Sequence, residues 1–325
     1  MDSADDGEHA RRLTRREVER RRRRIRRRVA VLVAVVLASM GTIVAVWPSH
    51  TARRVAATKP PLPVTSTARA VRKRPLRAER TTPARPVSTR ASRTAAVPIL
   101  MYHVIAPARP GAPYPGLYVT PHDFAAQIQA LVQAGFHGVT LDQVRAAWLG
   151  TAGLPRRPIV LTFDNGYRSQ YTAALPVLRR AGWVADENLQ LTGLPPREGG
   201  LTQREVRALV AAGWELDTQG YDHADLTELD SAQLRFQVAV TRARIRRLYG
   251  VGVSWFCYPS GHYDSAVVDA VRAAGFVGAT TVVAGWARPA DDPFTLPRLR
   301  VLAGTTPTEL LAQIDDAHDS RPPTA

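Results

Sequence analysis

The sequence contains a single cysteine, Cys257, among its 325 residues. One thiol cannot form a disulfide within the chain, and it cannot build a thiolate metal cluster. Cys257 lies in an apolar run that is typical of a strand, where a buried and unreactive thiol is expected. These observations exclude an intrachain disulfide scaffold and a thiolate metal cluster.

The folded part of the chain also lacks a net charge, although the whole chain carries +16. Residues 1–28 hold twelve Arg against six acidic residues, and residues 48–94 hold ten Arg and two Lys against one Glu. From residue 95 onward, 20 basic residues stand against 21 acidic ones. A nucleic-acid-binding domain carries a basic patch or stripe, so we expect no nucleic-acid partner.

Residues 29–47 form an uncharged run of nineteen residues, rich in Val, Ala and Leu. This length matches a membrane-spanning helix and exceeds the apolar core of most signal peptides. The Arg-rich residues 1–28 on its N-terminal side predict a cytoplasmic tail by the positive-inside rule. We therefore predict a single-pass cell-membrane protein with an extracytoplasmic folded domain; a cleaved signal peptide is the alternative.

Residues 48–94 are dominated by Pro, Thr, Ala, Ser and Arg and show no hydrophobic periodicity. Such a segment buries too little apolar surface to offset its ordering entropy, which predicts a disordered linker. Its positive charges would be attracted to anionic lipid head groups or wall polymers. A solvated spacer without a partner is the alternative interpretation.

From residue 95 to residue 325 the pattern alternates between apolar strands and amphipathic helices. Thr120 followed by Pro121 indicates a helix N-terminus, with Pro at the first helical position. Strands are predicted at 98–103, 138–141, 159–163, 184–191, 215–218, 255–258, 277–282 and 298–302, and helices at about 121–132, 169–181, 202–212, 231–249, 264–274 and 308–315. Repeated βα units predict one α/β domain built on a parallel sheet that closes as a barrel.

The most informative stretch is Leu161-Thr162-Phe163-Asp164-Asn165-Gly166-Tyr167. An apolar, β-branched run ends here in a carboxylate, a carboxamide and a glycine. In α/β folds the carboxyl ends of the strands carry the chemistry. Asp164 and Asn165 are therefore candidate site residues.

This stretch resembles the Thr-Phe-Asp-Asp-Gly signature of the polysaccharide deacetylases, the NodB-type carbohydrate esterases. The resemblance extends from about Val97 to Leu302 through further short stretches: Pro98–His103, Ala174–Leu178, Gly213–Leu216, Asp222–Leu226, Phe256–Gly261 and Leu296–Leu299. Their order and spacing identify the chain as a divergent member. The resemblance implies a distorted (β/α) barrel that hydrolyses N-acetyl amide bonds of a cell-envelope polysaccharide such as peptidoglycan.

The resemblance also implies a divalent, zinc-like metal held by one Asp and two His, with a second Asp as general base. By motif, Asp164 stands at the base, Asn165 at the Asp ligand, and Gln219 and His223 at the two His ligands. Carboxamides thus replace two of the three ligands. Asn lacks the charge that offsets a divalent cation, and the Gln oxygen is a weak ligand. Tight zinc binding is therefore not expected, and the protein could work without a metal.

Ser260 and Tyr258 follow from the same comparison, and His103 follows from its place at the end of a predicted strand. The amide of Ser260, in the turn that begins at Tyr258, stands where the family holds the oxyanion. His103 ends the first strand and could face the same cleft, although a core or capping role is equally compatible with its position.

Two acidic residues keep other functions open. Asp217 and Glu187 lie in predicted strands where the family usually has Gly and an apolar residue. Either could pair with Asp164 for general acid/base cleavage of a glycosidic bond without metal, or both could belong to a buried hydrogen-bond network. A non-catalytic glycan-binding module with the same fold is the remaining alternative.

Overall fold

The computed structural model describes residues 92–192 and 199–319. The predicted tail 1–28 and membrane anchor 29–47, and all but the last three residues of the predicted linker 48–94, lie outside this part. Among the described residues, no helix combines the length and the apolar character needed to cross a membrane. Packing already begins at Ser92, whose Oγ accepts a hydrogen bond from the Leu154 amide at 3.0 Å.

The described residues form nine strands and eight α-helices. The strands are β1 (Val97–Tyr102), β2 (His137–Val139), β3 (Pro158–Asn165), β4 (Asp186–Leu189), β5 (Glu215–Thr218), β6 (Trp255–Cys257), β7 (Gly278–Thr280), β8 (Trp286–Ala287) and β9 (Leu299–Arg300). The helices are α1 (Pro121–Gln133), α2 (Leu141–Trp148), α3 (Leu175–Ala181), α4 (Gln203–Ala211), α5 (Ser231–Arg235), α6 (Thr241–Tyr249), α7 (Ser265–Ala273) and α8 (Pro307–Asp319). Single π-helical turns, Gln170–Ala174 and Phe236–Val240, precede α3 and α6.

The strands form one curled sheet in the order β7-β6-β5-β4-β3-β1-β8, with β2 beside β3 and β9 beside β1. All pairs are parallel except β1 with β8, so the sheet is mixed. The segment 296–300 joins the two sides of the curl, because Leu296 bridges to Thr280 of β7 and β9 pairs with β1. The predicted α/β architecture is confirmed. The sheet was predicted to be parallel and closed as a barrel, but it is a curled, mixed half-barrel, because β8 pairs antiparallel with β1.

Local signals account for the helix starts. Thr120 caps α1 by accepting from the Asp123 amide, and Pro121 occupies the first turn, as predicted. The sequence reasoning extended a strand to residue 141, and this was wrong. Thr140 instead forms a capping box with Gln143 that starts α2, because its hydroxyl and the Gln143 side chain satisfy free amides of the first turn.

The sheet is packed on both faces, as expected for parallel strands. Phe163 of β3 is fully buried on the outer face and stacks between Tyr102 and Trp214, with ring centroids 5.6 and 4.9 Å away. On the inner face, Val97, Val160 and Trp255 pack with the first turns of α2. Helix α2 therefore fills the end of the curl where β4 and β5 begin, and the opposite end is left for a cleft.

Candidate functional site

A cleft of about 540 Å³ lies at the carboxyl ends of the central strands. Seven residues singled out from the sequence line it: His103, Asp164, Asn165, Gln219, His223, Tyr258 and Ser260. They come from four strand ends, and they meet because parallel strands deliver their carboxyl ends to the same side of a sheet.

The turn after β3 presents its two polar residues because the backbone reverses sharply. Asn165 has φ of 79° and Gly166 has φ of 85°. Asn tolerates the left-handed region better than most residues, and Gly enters it without steric cost. A Cβ on Gly166 would also lie 2.6 Å from the Leu189 side chain. The glycine is therefore required by both the turn and the packing.

Asp164 is buried and fully engaged. Its two carboxylate oxygens accept from the guanidinium of Arg298, at 2.8 Å to Oδ1 and 3.0 Å to Oδ2. The Asn188 amide donates a further bond to Oδ1 at 2.8 Å. Burial alone would raise the pKa of Asp164, but the charge of Arg298, with His103 and these hydrogen bonds, lowers it to about 2. Asp164 is thus an anion held in an ion pair.

Arg298 is the site residue that the sequence reasoning missed. Only 1% of its surface is exposed, and all five of its N–H donors have acceptors. Beside the two bonds to Asp164, it donates to Thr162 Oγ1 at 2.9 Å, to the Thr281 carbonyl at 2.8 Å and to Cys257 Sγ at 3.2 Å. The sequence signal for Arg298 was the Leu-Pro-Arg-Leu stretch. This stretch contributed to the family resemblance but did not indicate that Arg298 pairs with Asp164.

His103 faces the same ion pair as a neutral imidazole. Its Nε2 lies 3.9 Å from Asp164 Oδ2, and its Nδ1 is buried without a hydrogen-bond partner. Burial lowers the pKa of His103 to about 4 against the opposing effect of the Asp164 charge. At neutral pH it can donate or accept a hydrogen bond but does not add a positive charge.

The three residues at the family's metal-ligand positions have different surroundings, and Asn165 belongs to a small amide network. Asn165 Nδ2 donates to Gln190 Oε1 at 2.8 Å, and Gln190 in turn donates to the Thr192 carbonyl. Gln219 is 2% exposed, and its Oε1 has no hydrogen-bond partner. His223 is partly buried with φ of 61°, and burial is the main cause that lowers its pKa. Polar groups therefore remain at all three positions.

These groups do not fit a tightly held divalent metal. Two of the three offer neutral amide oxygens, which are weak ligands for a zinc-like metal and bring no charge to offset it. Two carboxylates line the cleft. Asp164 is neutralised by Arg298, whose charge would oppose a cation in the same cleft, and Asp222 accepts a hydrogen bond from Gln237. In the described ranges, the group of three His, Cys, Asp or Glu residues close enough to share an ion is elsewhere: Asp186, Glu215 and Asp217. Weak metal binding at this position stays a prediction.

A strained turn after β6 forms another wall of the cleft. Ser260 has φ of 55° and Gly261 has φ of 77°; a Cβ on Gly261 would lie 2.3 Å from Val282 Cγ2. Ser260 is exposed to the cleft. The Tyr258 hydroxyl donates instead to the Phe294 carbonyl at 3.0 Å, so this group positions the turn and is not free for a ligand.

The structure does not place Asp217 or Glu187 in the cleft. Asp217 Oδ1 accepts from the amides of Ser254 and Trp255 at 3.0 and 2.8 Å. In the sheet register, Asn188 stands between Asp217 and Asp164. Glu187 follows the register of Phe163, on the outer face, where its buried carboxyl oxygens have no hydrogen-bond partner. Burial, followed by the Asp164 charge, raises the pKa of Glu187. The hypothesis of a carboxylate pair with Asp164 is therefore not supported by the geometry.

Fold and cleft together define an α/β protein with a curled, mixed sheet and a polar cleft at the carboxyl ends of its central strands. Residues 151–279 match the family model of the polysaccharide deacetylases. YxkH of Bacillus subtilis, a protein assigned to the polysaccharide deacetylases, is 24% identical over 221 residues, which cover 68% of this chain and 77% of that protein. The poly-β-1,6-N-acetyl-D-glucosamine N-deacetylase of Escherichia coli is 41% identical over 59 residues, which are 9% of its length.

Solved structures agree with these sequence relatives. The Streptococcus pyogenes deacetylase PplD, solved with acetate, superposes with a TM-score of 0.62 at 23% identity, covering 68% of this chain and 99% of that chain. At this identity the likeness concerns the fold. Residues 151–279 and the fold are therefore similar to those of the polysaccharide deacetylases.

Proposed function

We propose that this protein binds N-acetylated polysaccharide of the cell envelope in the cleft beside Asp164, without the metal-dependent hydrolysis that its family resemblance implies. The observation that carries the proposal is the donor set: amides at two ligand positions and a carboxylate neutralised by Arg298. Sugar hydroxyl and acetamide groups are neutral, and neutral donors and acceptors recognise them without a charge to neutralise.

The polar groups of the cleft suit this kind of ligand. The unpartnered Gln219 Oε1 and His103 Nδ1 are hydrogen-bonding groups that pay a desolvation cost until a partner arrives. The family and the N-acetylglucosamine substrate in the name of the Escherichia coli relative support an acetylated amino sugar as that partner. Peptidoglycan and related envelope glycans carry this group.

The proposed location follows from the N-terminal part of the sequence. Residues 29–47 would anchor the chain in the membrane, with residues 1–28 on the cytoplasmic side and the domain outside. The basic residues 48–94 would lie against anionic lipids or wall polymers. Protease treatment of intact cells tests this, since only an extracytoplasmic domain would be digested.

Calorimetric titration of the full chain in detergent tests glycan binding. We expect saturable binding of an N-acetylglucosamine pentamer at least tenfold tighter than of the matching glucosamine pentamer, with no acetate released. His223→Ala, in the cleft, should weaken binding about tenfold. His122→Ala is the matched control, because this side chain is 92% exposed at the start of α1. Equal affinity for both pentamers, or equal effects of both variants, would contradict the proposal.

A restoration variant distinguishes binding from hydrolysis. Asn165→Asp with Gln219→His would recreate the Asp and His ligands beside His223. We expect this double variant to take up zinc that the wild-type chain leaves in solution, as measured by metal analysis after dialysis. Stoichiometric zinc in the wild-type chain, with acetate release that requires Asp164, would replace the proposal with deacetylation.

A further inference from the structure

A group of three acidic side chains lies at the opposite end of the curled sheet from the cleft. Asp186 and Glu215 begin β4 and β5 and are direct partners in the sheet register, and Asp217 follows two residues later on the same face. Asp186 and Asp217 are no more than 1% exposed. One oxygen from each of the three lies within 4.8 Å of the others.

Backbone amides hold one oxygen of each carboxylate. Asp186 Oδ1 accepts from the Leu141 amide at 3.0 Å, and Glu215 Oε2 accepts from the Asp142 amide at 3.1 Å, both at the start of α2. Asp217 Oδ1 accepts from the amides at the start of β6. These bonds fix the orientation of the three groups without supplying a full positive charge.

The second oxygen of Asp217 is left without a partner. Asp217 Oδ2 is buried and makes no hydrogen bond, while the Asp186 and Glu215 carboxyl groups lie within hydrogen-bonding reach of each other and repel when both are ionised. Asp142, in contrast, is satisfied: it accepts from the Trp255 indole at 3.0 Å and from the Ser254 hydroxyl at 3.1 Å. A buried, unpartnered carboxylate oxygen beside two further carboxyl groups is costly unless a cation or protons share the space.

We propose that Asp186, Glu215 and Asp217 bind one hard divalent cation of the Ca²⁺ class at this end of the sheet. An ion with oxygen ligands at about 2.4 Å can contact atoms up to about 4.8 Å apart, and carboxylate oxygens are its preferred ligands. Zinc and copper prefer nitrogen and sulfur, which the group lacks. The cation would offset most of the three negative charges.

A cavity supplies access and room for water ligands. A partly open cavity of about 150 Å³ is lined by residues that include Glu215, Asp217 and Ser254, and Asp186 lies behind this lining. Three protein oxygens leave a Ca²⁺ ion three to five positions short of its usual coordination, and waters in this cavity would complete the shell. Burial and the neighbouring acidic groups raise the pKa values of Asp186 and Asp217, so bound protons are the competing occupants.

Terbium luminescence of the full chain tests the proposal, because Tb³⁺ replaces Ca²⁺ and is excited through nearby tryptophan. Trp255 donates to Asp217 through its backbone and to Asp142 through its indole. We expect Tb³⁺ emission that Ca²⁺ displaces, and a higher thermal unfolding midpoint in Ca²⁺ than in EDTA. Asp217→Asn and Asp186→Asn should each weaken Ca²⁺ binding at least tenfold.

Asp269→Asn is the matched control, since this exposed residue of α7 loses the same charge and should leave Ca²⁺ binding unchanged. The proposal is overturned if the wild-type chain shows no Ca²⁺ response, which would identify protons as the occupants. It is also overturned if both cluster variants keep the response. The result is independent of glycan binding, because no ligand of the cation lines the cleft.

Discussion

Replacing Arg298 by Met should destabilise the protein strongly, because Asp164 would remain buried without its counter-charge. Asp164 is 1% exposed, and both of its oxygens depend on the guanidinium. Removing one partner of a buried ion pair costs about 3–5 kcal/mol. Asp164→Asn added to Arg298→Met should recover much of this free energy, since the double variant buries no unpaired charge.

The free energy of unfolding should depend on pH in opposite directions with and without Arg298. In the wild-type chain the pKa of Asp164 falls from 3.8 to about 2, which corresponds to about 2 kcal/mol at about 1.4 kcal/mol per pKa unit. A lowered folded-state pKa gives stability that is present above about pH 4 and is lost as pH falls through about 2. Without Arg298, burial raises the pKa instead, so stability should decline as pH rises through about 4.

Urea unfolding of the full chain at pH 3, 5 and 7, followed by circular dichroism, measures both effects. Arg272→Met is the matched control, because Arg272 contacts both Asp292 oxygens at 2.9 and 3.0 Å in an ion pair that is nearly half exposed. Exposed pairs contribute about 1 kcal/mol or less. The reasoning would be refuted if both variants lost the same free energy of unfolding and if this free energy changed with pH in the same way in both.

Three further predictions concern single positions. Burial lowers the pKa of His103 from 6.5 to about 4, so the free energy of unfolding of the wild-type chain should fall by up to about 3 kcal/mol as pH falls from about 6.5 to 4. Urea unfolding at pH 7 and 4.5 should show a smaller decrease for His103→Gln. An unchanged decrease would contradict the assignment. Gly261→Ala should lower the thermal unfolding midpoint and weaken glycan binding, because the added Cβ would lie 2.3 Å from Val282. Gly250→Ala controls for backbone strain, since Gly250 has φ of 71° but no atom within 4 Å of the added Cβ, and it should lower the midpoint less. Thr140→Ala should lower the free energy of unfolding by about 1 kcal/mol, because it removes the capping box of α2. An unchanged free energy in urea unfolding would show that tertiary contacts alone stabilise that helix.

The signals that succeeded in the sequence were local. Thr120 and Pro121 marked the start of α1 because capping depends on residues three positions apart. The apolar run that ends at Asp164 marked β3 and its functional end because strand burial and turn chemistry are written in consecutive residues. Helix α2 was missed because Thr140 follows a strand directly, and the apolar run obscured its capping box.

The signals that failed depended on partners far apart in the chain. Arg298 lies 134 positions from Asp164, and nothing in either stretch specifies the pairing. Asp217 was considered as a partner of Asp164 because both residues lie near strand ends. The sheet register instead placed Asn188 between them and brought Asp217 to the amides of β6.

By itself, the sequence determined the alternation of strands and helices, the family resemblance and the loss of two metal-ligand types at Asn165 and Gln219. These follow from residue identity and short-range spacing. Only the tertiary structure decided that Asp164 is neutralised by Arg298 and that three carboxylates meet at the far end of the sheet. The physical reason is that charge pairing depends on distance in space, and strand register sets that distance between residues remote in sequence.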